Sequence, residues 1–286
     1  MDIEQARTFL TVLETGSFLR AGELLHVTQS TVSARIKLLE DRLGVALFDR
    51  HHAGVSPTPP ALRFRSAAST IVRAWAQARQ EAALPGDFSV GLTLGAQITH
   101  WDGALTDWVV WLRDTLPQIA LTADVASNDT LLRRVEDGLL DAAIVYQPRP
   151  IAGLSIGELF RDDLILVETV AGGSGPGDPD YIFVDWGPDF RAGHAMAFQD
   201  CSPPAMRFSV GSPALEVLLQ RGGSGYFPYR LVGRHIEAGR LFERRGAPRF
   251  ERAAFLVRPE LCRDDSIGSA LDGLDQFFRV CVTQPA

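Results

Sequence analysis

Apolar residues recur at three- and four-residue steps from the start of the chain, and the breaks between these runs constrain its fold more than any other feature. Ile3, Ala6, Phe9, Leu10 and Leu13 mark one face of a first helix. Gly16-Ser17 interrupts it and offers Ser17 as N-cap to a short second helix, about Phe18 to Leu25. His26-Val27-Thr28 leaves room only for a tight connection. A third helix follows from Gln29 to about Leu43, with Val32, Ile36 and Leu39 on one face, and Gly44 stops it. Val45-Ala46-Leu47-Phe48, the polar His51-His52-Ala53-Gly54 and Val55-Ser56 then read as two short strands and their turn. Helix, short helix, three-residue turn, helix and wing is the winged helix-turn-helix outline.

The outward face of the third helix carries Gln29, Ser30, Thr31, Ser33, Arg35 and Lys37. Short hydrogen-bonding side chains near a helix N-terminus suit base edges, and cations further along suit phosphates. A solvated helix face, flanked by Glu40-Asp41, accounts for the same residues. Charge is divided unevenly. Residues 1–87 carry a net +1 and residues 88–286 a net −8, within an overall −7. An acidic protein is a poor non-specific binder of nucleic acid, so any DNA contact must come from one small surface. Of the 28 cations, 27 are Arg and one is Lys37, so nearly every cationic contact can be planar and bidentate.

With 286 residues and 46% hydrophobic content, the chain has material for about two folded domains. Its apolar runs are too short for a membrane span. Met1-Asp2-Ile3-Glu4-Gln5 is acidic and polar, so no secretory leader is expected. Cys201, Cys262 and Cys281 are odd in number, widely spaced and without a CxxC, which argues against a disulfide scaffold or zinc site and for a reducing cytoplasm.

Four ordered strings carry a resemblance. Ala6-Arg7-Thr8-Phe9-Leu10-Thr11-Val12, Thr15-Gly16-Ser17-Phe18, Leu25-His26-Val27-Thr28-Gln29-Ser30-Thr31-Val32-Ser33 and Leu39-Glu40-Asp41-Arg42-Leu43-Gly44-Val45-Ala46-Leu47-Phe48-Asp49-Arg50 closely resemble the LysR-type transcriptional regulators over about sixty residues. The resemblance implies that Gln29, Ser30, Thr31, Ser33 and Arg35 face the major groove. It puts Arg50 and the wing residues His51 and His52 near the backbone or minor groove. Two departures stand out. The family commonly has two alanines in the second helix where this chain has Ala21-Gly22, and a mid-helix Gly costs ~1 kcal/mol against Ala. After the wing, Pro57-Thr58-Pro59-Pro60-Ala61 replaces the usual Leu-Thr-Pro-Ala-Gly and stiffens the exit.

Residues 62–84 hold a seam of Phe64, Ala68, Ile71, Trp75, Ala78 and Ala82 at alternating four- and three-residue steps. It either packs on its own domain or pairs with the same helix of a second chain, and in LysR-type proteins this segment is the dimerisation helix. Pro85-Gly86 ends it. Two recognition helices related by a two-fold axis read a split palindrome and gain by effective concentration.

Beyond residue 87, strand and helix signals alternate: Phe88–Leu94, Trp101–Leu116, Ile119–Val125, Asp129–Leu140 and Asp141–Tyr146, then strands at Leu154–Phe160 and Leu164–Val170. The glycine-rich 172–177 lacks the ending of a phosphate loop and reads as a surface loop. A second set follows: Tyr181–Val184, a helix near Phe190–Phe198, Arg207–Val210, a helix at Pro213–Gln220, Gly225-Tyr226-Phe227, a late strand Phe255–Val257, and a last helix through Ile267, Leu271, Leu274, Phe277 and Phe278. The two sets resemble the type 2 periplasmic-binding-protein fold of LysR-type effector domains. The expected architecture is therefore α/β: an all-α-dominated winged helix-turn-helix (1–61), a long linker helix and hinge (62–87), and a two-lobed effector domain (88–286), lobe I about 88–168 plus 262–286 and lobe II about 169–261. Val184-Asp185-Trp186-Gly187-Pro188 and Arg221-Gly222-Gly223-Ser224-Gly225-Tyr226 resemble the HdfR-like branch.

By that analogy an effector sits between the lobes, lined by Gln97, Thr99, Trp101, Asn128, Asp185, Trp186, Ser224 and Tyr226. The same residue types serve equally as caps and lids at element ends. No Arg pair in these loops stands ready to clamp a carboxylate. No nucleophile elbow, metal-spaced histidine set or catalytic carboxylate pair is present, so the chain reads as no enzyme. Cys201 matches a redox sensor of one LysR-type branch only loosely, because no cation adjoins it in sequence. The resemblance implies double-stranded DNA, an unknown small-molecule effector, further copies of the same chain up to a tetramer, and RNA polymerase as partners. It implies no cofactor, no metal and no membrane. The alternatives are a constitutive or architectural DNA binder without an effector, and an enzyme of the binding-protein fold.

Overall fold

A computed structural model of the chain describes residues 2–51, 54–82, 84, 86–101 and 103–282. Asp2 opens α1 (Ile3–Thr15) with a capping box: its carboxylate accepts from the Glu4 N–H, and its own N–H donates to the Gln5 side chain. Ser17 caps α2 (Phe18–Leu25) and Thr28 caps α3 (Gln29–Leu43), each accepting a backbone N–H from the first turn. Gly44 closes α3 at φ +71°. The wing is β1 (Phe48–His51) and β2 (Gly54–Pro57), paired antiparallel. Ala6, Phe9, Val12, Val32, Ile36, Leu39 and Leu47 form the core of this three-helix body, closed by Phe18 and Phe48.

The helix after the wing, α4 (Pro59–Ala82), starts on two prolines. Proline suits the first helical turn because the N–H it lacks has no partner there anyway. The stiff exit expected from the sequence is thus the start of the helix itself. Gly22 is also reinterpreted. A Cβ at that position would lie 2.8 Å from the Val27 carbonyl oxygen and 3.4 Å from the Gln29 nitrogen, so the turn between α2 and α3 crosses too closely for alanine.

The chain divides into two compact units, Met1–Asp87 with Glu136–Leu139, and Phe88–Val135 with Leu140–Ala286. In the second, β3 (Val90–Ala96) leads through a short 3₁₀ turn, Ile98–His100, to α5 (Ala104–Thr115), β4 (Ile119–Val125), α6 (Asn128–Glu136) and β5 (Ala142–Val145). Then come β6 (Leu154–Glu168), β7 (Tyr181–Val184), α7 (Pro188–Ala197), β8 (Met206–Phe208), α8 (Gly211–Arg221) and β9 (Ser224–Pro228). The chain finishes with α9 (Tyr229–Glu237), β10 (Phe242–Glu243), β11 (Phe250–Pro259) and α10 (Asp265–Val282).

One sheet runs β4-β3-β5-β11-β6-β9-β7-β8, with β10 on β6. Its two ends, β4-β3-β5 and β9-β7-β8, are parallel, and the long antiparallel β6 and β11 join them. Cores form on either side of that join. One centres on Leu92, Leu94, Trp108, Ile144 and Leu271, the other on Tyr181, Ile182, Phe183, Leu218 and Phe227. Two strands expected at 154–160 and 164–170 are the single strand β6, because Arg161 to Asp163 face β11 in unbroken register and so give no turn. The late strand expected at 255–257 extends back to Phe250, and α9 was not expected at all.

Candidate nucleic-acid interface and ligand cleft

Val32, Ile36 and Leu39 bury one side of α3 completely. The other side leaves Gln29, Ser30 and Lys37 exposed and Thr31 and Ser33 half-buried. The Thr28 hydroxyl oxygen lies 2.8 Å from that of Ser30 and 2.9 Å from that of Thr31, which orders the hydroxyls at the helix start. Arg35 departs from the expected outward orientation. Its Nη1 donates to Glu4 Oε2 and to Thr8 Oγ1, both at 3.3 Å, and so braces α3 against α1. The side chain is long enough to lie back over the neighbouring helix, where a partner carboxylate waits. On the wing, His51 Nε2 lies 2.7 Å from Ser56 Oγ. His52 and the Arg50 side chain lie outside the described residues.

The α4 seam divides. Ala68 is fully buried and Phe64 packs at 5.2 Å between ring centroids on Phe9, so these two residues complete the core of their own domain, contrary to the expectation of a dimer contact. The three-helix body leaves one side of α1 open, and the start of α4 covers it. Ile71 is half-buried, and Trp75 (47% exposed), Ala78 and Ala82 remain on the surface.

Between the two halves of the sheet lies a cavity of about 260 Å³, bounded by Tyr146, Gln147, Trp186, Asp189, Phe190, Glu251, Arg252, Ala253 and Phe255. Of the eight expected lining residues only Trp186 is among them. It is 3% exposed, and its indole N–H donates to the Tyr226 carbonyl at 2.8 Å. Ser224 and Tyr226 are core residues, a correction to the expected cleft. Their glycine-rich string is a strand covered on both edges by β6 and β7, and the Tyr226 hydroxyl donates to the Pro248 carbonyl at 2.9 Å. Asp185 does not bound this cavity; it accepts from the Gly187 N–H at 3.0 Å and pairs with Arg191 at 2.7 Å, securing the first turn of α7. Trp101 packs on the core around Trp108. Asn128 donates to the Gln147 carbonyl at 3.0 Å, which places it behind a cavity residue. The Oε1 of Gln97, Oδ1 of Asn128, Nε1 of Trp101 and both ring nitrogens of His100 are buried with no hydrogen-bond partner among the described residues.

A polar network behind the cavity was not foreseen. The Tyr146 hydroxyl donates to Asp162 Oδ2 at 2.6 Å, and Arg230 Nε donates to Asp162 Oδ1 at 2.6 Å. Arg230 Nη2 also donates to the Thr99 carbonyl at 2.7 Å. Burial, reinforced by the Asp162 charge, pushes the Tyr146 phenol up to about 12. His100 stacks at 4.1 Å on Tyr146, and burial with the Arg230 and Arg252 charges holds it well below the ordinary histidine range. The Arg252 guanidinium carbon sits 3.2 Å above the centroid of the Tyr146 ring. The available sequence signal was a cation at a strand-period position, Phe250, Arg252, Ala254, Leu256, but it required knowing that β11 begins at Phe250.

A second hollow of about 240 Å³ brings Cys201 together with His194 and with Arg191 and Arg207, two cations that sequence adjacency does not reveal. The Cys201 thiol donates to the Pro176 carbonyl at 3.1 Å. The Cys281 side chain lies outside the described residues, and no metal-ligating cluster occurs among those that are described.

Residues 3–62 match the family described as bacterial regulatory helix-turn-helix protein, lysR family. Over 231 residues the chain is 30% identical to the HTH-type transcriptional regulator HdfR of Escherichia fergusonii, covering 80% of this chain and 82% of that one. Full-length LysG from Corynebacterium glutamicum with bound effector Arg superposes at a TM-score of 0.57 with 20% identity, over 98% and 99% of the two chains. Vibrio fischeri DarR in complex with DNA superposes at 0.59 with 16% identity, over 97% and 99%. A winged helix-turn-helix ahead of a two-lobed α/β domain defines a DNA-binding transcriptional regulator. The chain belongs to the LysR family of such regulators.

Proposed function

We propose that the chain reads a pseudo-palindromic DNA site as a homodimer, or as a tetramer of two such pairs, and that a small molecule in the 260 Å³ cavity biases the arrangement of those pairs. The carrying observation is α3: three apolar side chains fully buried on one side, and on the other a polar face with Gln29, Ser30 and Lys37 exposed and Thr31 and Ser33 half-buried. Gln29, Ser30, Thr31 and Ser33 take the base edges, and Lys37 with the wing residue His51 takes phosphates. Arg35 joins them by leaving Glu4, a partly exposed pair worth only about 0–1 kcal/mol. Trp75, Ala78 and Ala82 form the self-association surface. In this reading the protein works in the cytoplasm, performs no catalysis and meets RNA polymerase on the promoter.

Selection from a genomic fragment library by gel shift tests the reading. The wild-type protein enriches a dyad-symmetric sequence, and the Gln29→Ala/Ser30→Ala double variant loses that enrichment while retaining weak salt-sensitive binding. Equal enrichment by both proteins contradicts it. DNA binding in DarR and effector binding in LysG are brought to this chain only through the shared fold and the cavity.

A further inference from the structure

We propose that Arg252 is the anchor of the cavity, holding the carboxylate of a small ligand with an aromatic body. This deepens the reading of the cavity as the regulator's ligand site and rests on it.

Stacking fixes the guanidinium. Its carbon lies 3.2 Å over the Tyr146 ring and 6.0 Å from the Trp186 ring. A guanidinium held by its face keeps its edge N–H donors free for a second partner, and two parallel donors match a carboxylate. Among the described residues the Arg252 side chain makes no hydrogen bond or ion pair, while its backbone belongs to the β11–β6 ladder. Burial also pulls its proton affinity down from the ordinary arginine value, the signature of a charge short of compensation.

Each carboxylate in the surroundings is already engaged. Asp162 accepts from Tyr146 and Arg230. Asp185 holds Arg191 at 2.7 Å. Glu251 pairs with Arg161 at 3.4 Å, and Asp189 accepts from the Gln147 amide at 3.1 Å. Asp162 and Asp185 act on the Arg252 charge through space without bonding to it, so the fold supplies a stacked, oriented cation whose donors are left for a carboxylate that enters the cavity. Trp186, Phe190 and Phe255 give the cavity apolar walls, and about 260 Å³ accommodates a body of roughly ten non-hydrogen atoms.

Isothermal titration of the full-length protein, in a buffer without phosphate or other carboxylates, tests the assignment with phenylacetate and its neutral isostere phenylacetamide. Phenylacetate is expected to saturate in the millimolar range or below, and phenylacetamide to bind about ten- to a hundredfold more weakly, the span of a charge-assisted bidentate pair. Arg252→Gln should abolish the preference for the acid, and Arg252→Lys should retain part of it. Both variants are first checked for an unchanged melting midpoint. Equal binding of acid and amide by the wild type, an undiminished preference in Arg252→Gln, or no saturable binding of phenylacetate up to about 20 mM would each overturn the proposal. The titration involves no DNA. Its failure leaves the DNA-reading role of α3 intact, and a failed DNA selection leaves the anion site intact.

Discussion

Gly22 and His194 show how far a single residue's neighbours can override its intrinsic preference. Helix propensity favours alanine at position 22 by about 1 kcal/mol, yet the Val27 carbonyl stands 2.8 Å from where the new Cβ would go. Gly22→Ala is therefore expected to destabilise the protein by about 1–3 kcal/mol in denaturant unfolding, reversing the sign of propensity. His194 donates to or accepts from the Tyr181 hydroxyl at 2.7 Å, and burial, with the Arg207 charge, lowers its pKa to about 4. The unfolded chain binds that proton near 6.5, so the stability His194 provides is full above that value and declines as pH falls towards 4. Melting midpoints of His194→Gln measured from pH 7 to pH 4 should fall less steeply than those of the wild type. Equal slopes would remove His194 as the cause. Residue identity was legible where it fixes local geometry: Ser17 caps α2 and Gly44 closes α3 as the sequence predicts. It was not legible where contacts come from afar. Nothing near Arg252 in sequence announces Tyr146, and Asp185 is claimed by Arg191 six residues on.

At the scale of elements, α4 serves two purposes along its length. Ala68 is sealed in the core of its own domain, and Trp75 stands on the surface two turns later. Ala68→Glu should unfold the three-helix body, seen as lost helical ellipticity. Trp75→Glu should leave the fold unchanged and halve the mass measured by light scattering; an unaltered mass would refute a role for Trp75 in self-association. Periodicity alone cannot separate the two, because a heptad seam looks the same whichever helix covers it. The same limit explains β6 and β9. Charged Arg161-Asp162-Asp163 imitates a turn although pairing with β11 keeps it extended, and Gly222-Gly223-Ser224-Gly225 imitates a loop although Ser224 and Gly225 already pair with β6 and β7.

Across the effector-type domain, one buried ion pair links distant parts of the chain. Arg230, on the unforeseen α9, binds Asp162 on β6 and the Thr99 carbonyl after β3. Asp162→Asn leaves Arg230 without its charge partner and is expected to cost about 3–5 kcal/mol in unfolding. A loss below about 1 kcal/mol would show that the network's remaining hydrogen bonds suffice. The order of helices and strands was readable because each short-range pattern was strong, and the family resemblance supplied the two-lobed arrangement. The join between lobes, two long antiparallel strands, came from pairings nearly a hundred residues apart in sequence.

The central claim is that two copies of α3 lie in DNA grooves about a common dyad. Hydroxyl-radical footprinting of the purified protein on its selected site addresses it most directly. Two patches of protection, mirror-related and a whole number of helical turns of roughly 10 base pairs apart, are expected, and Gln29→Ala/Ser30→Ala should erase both together. Protection that is continuous and indifferent to sequence, or that survives those substitutions unchanged, would contradict the account.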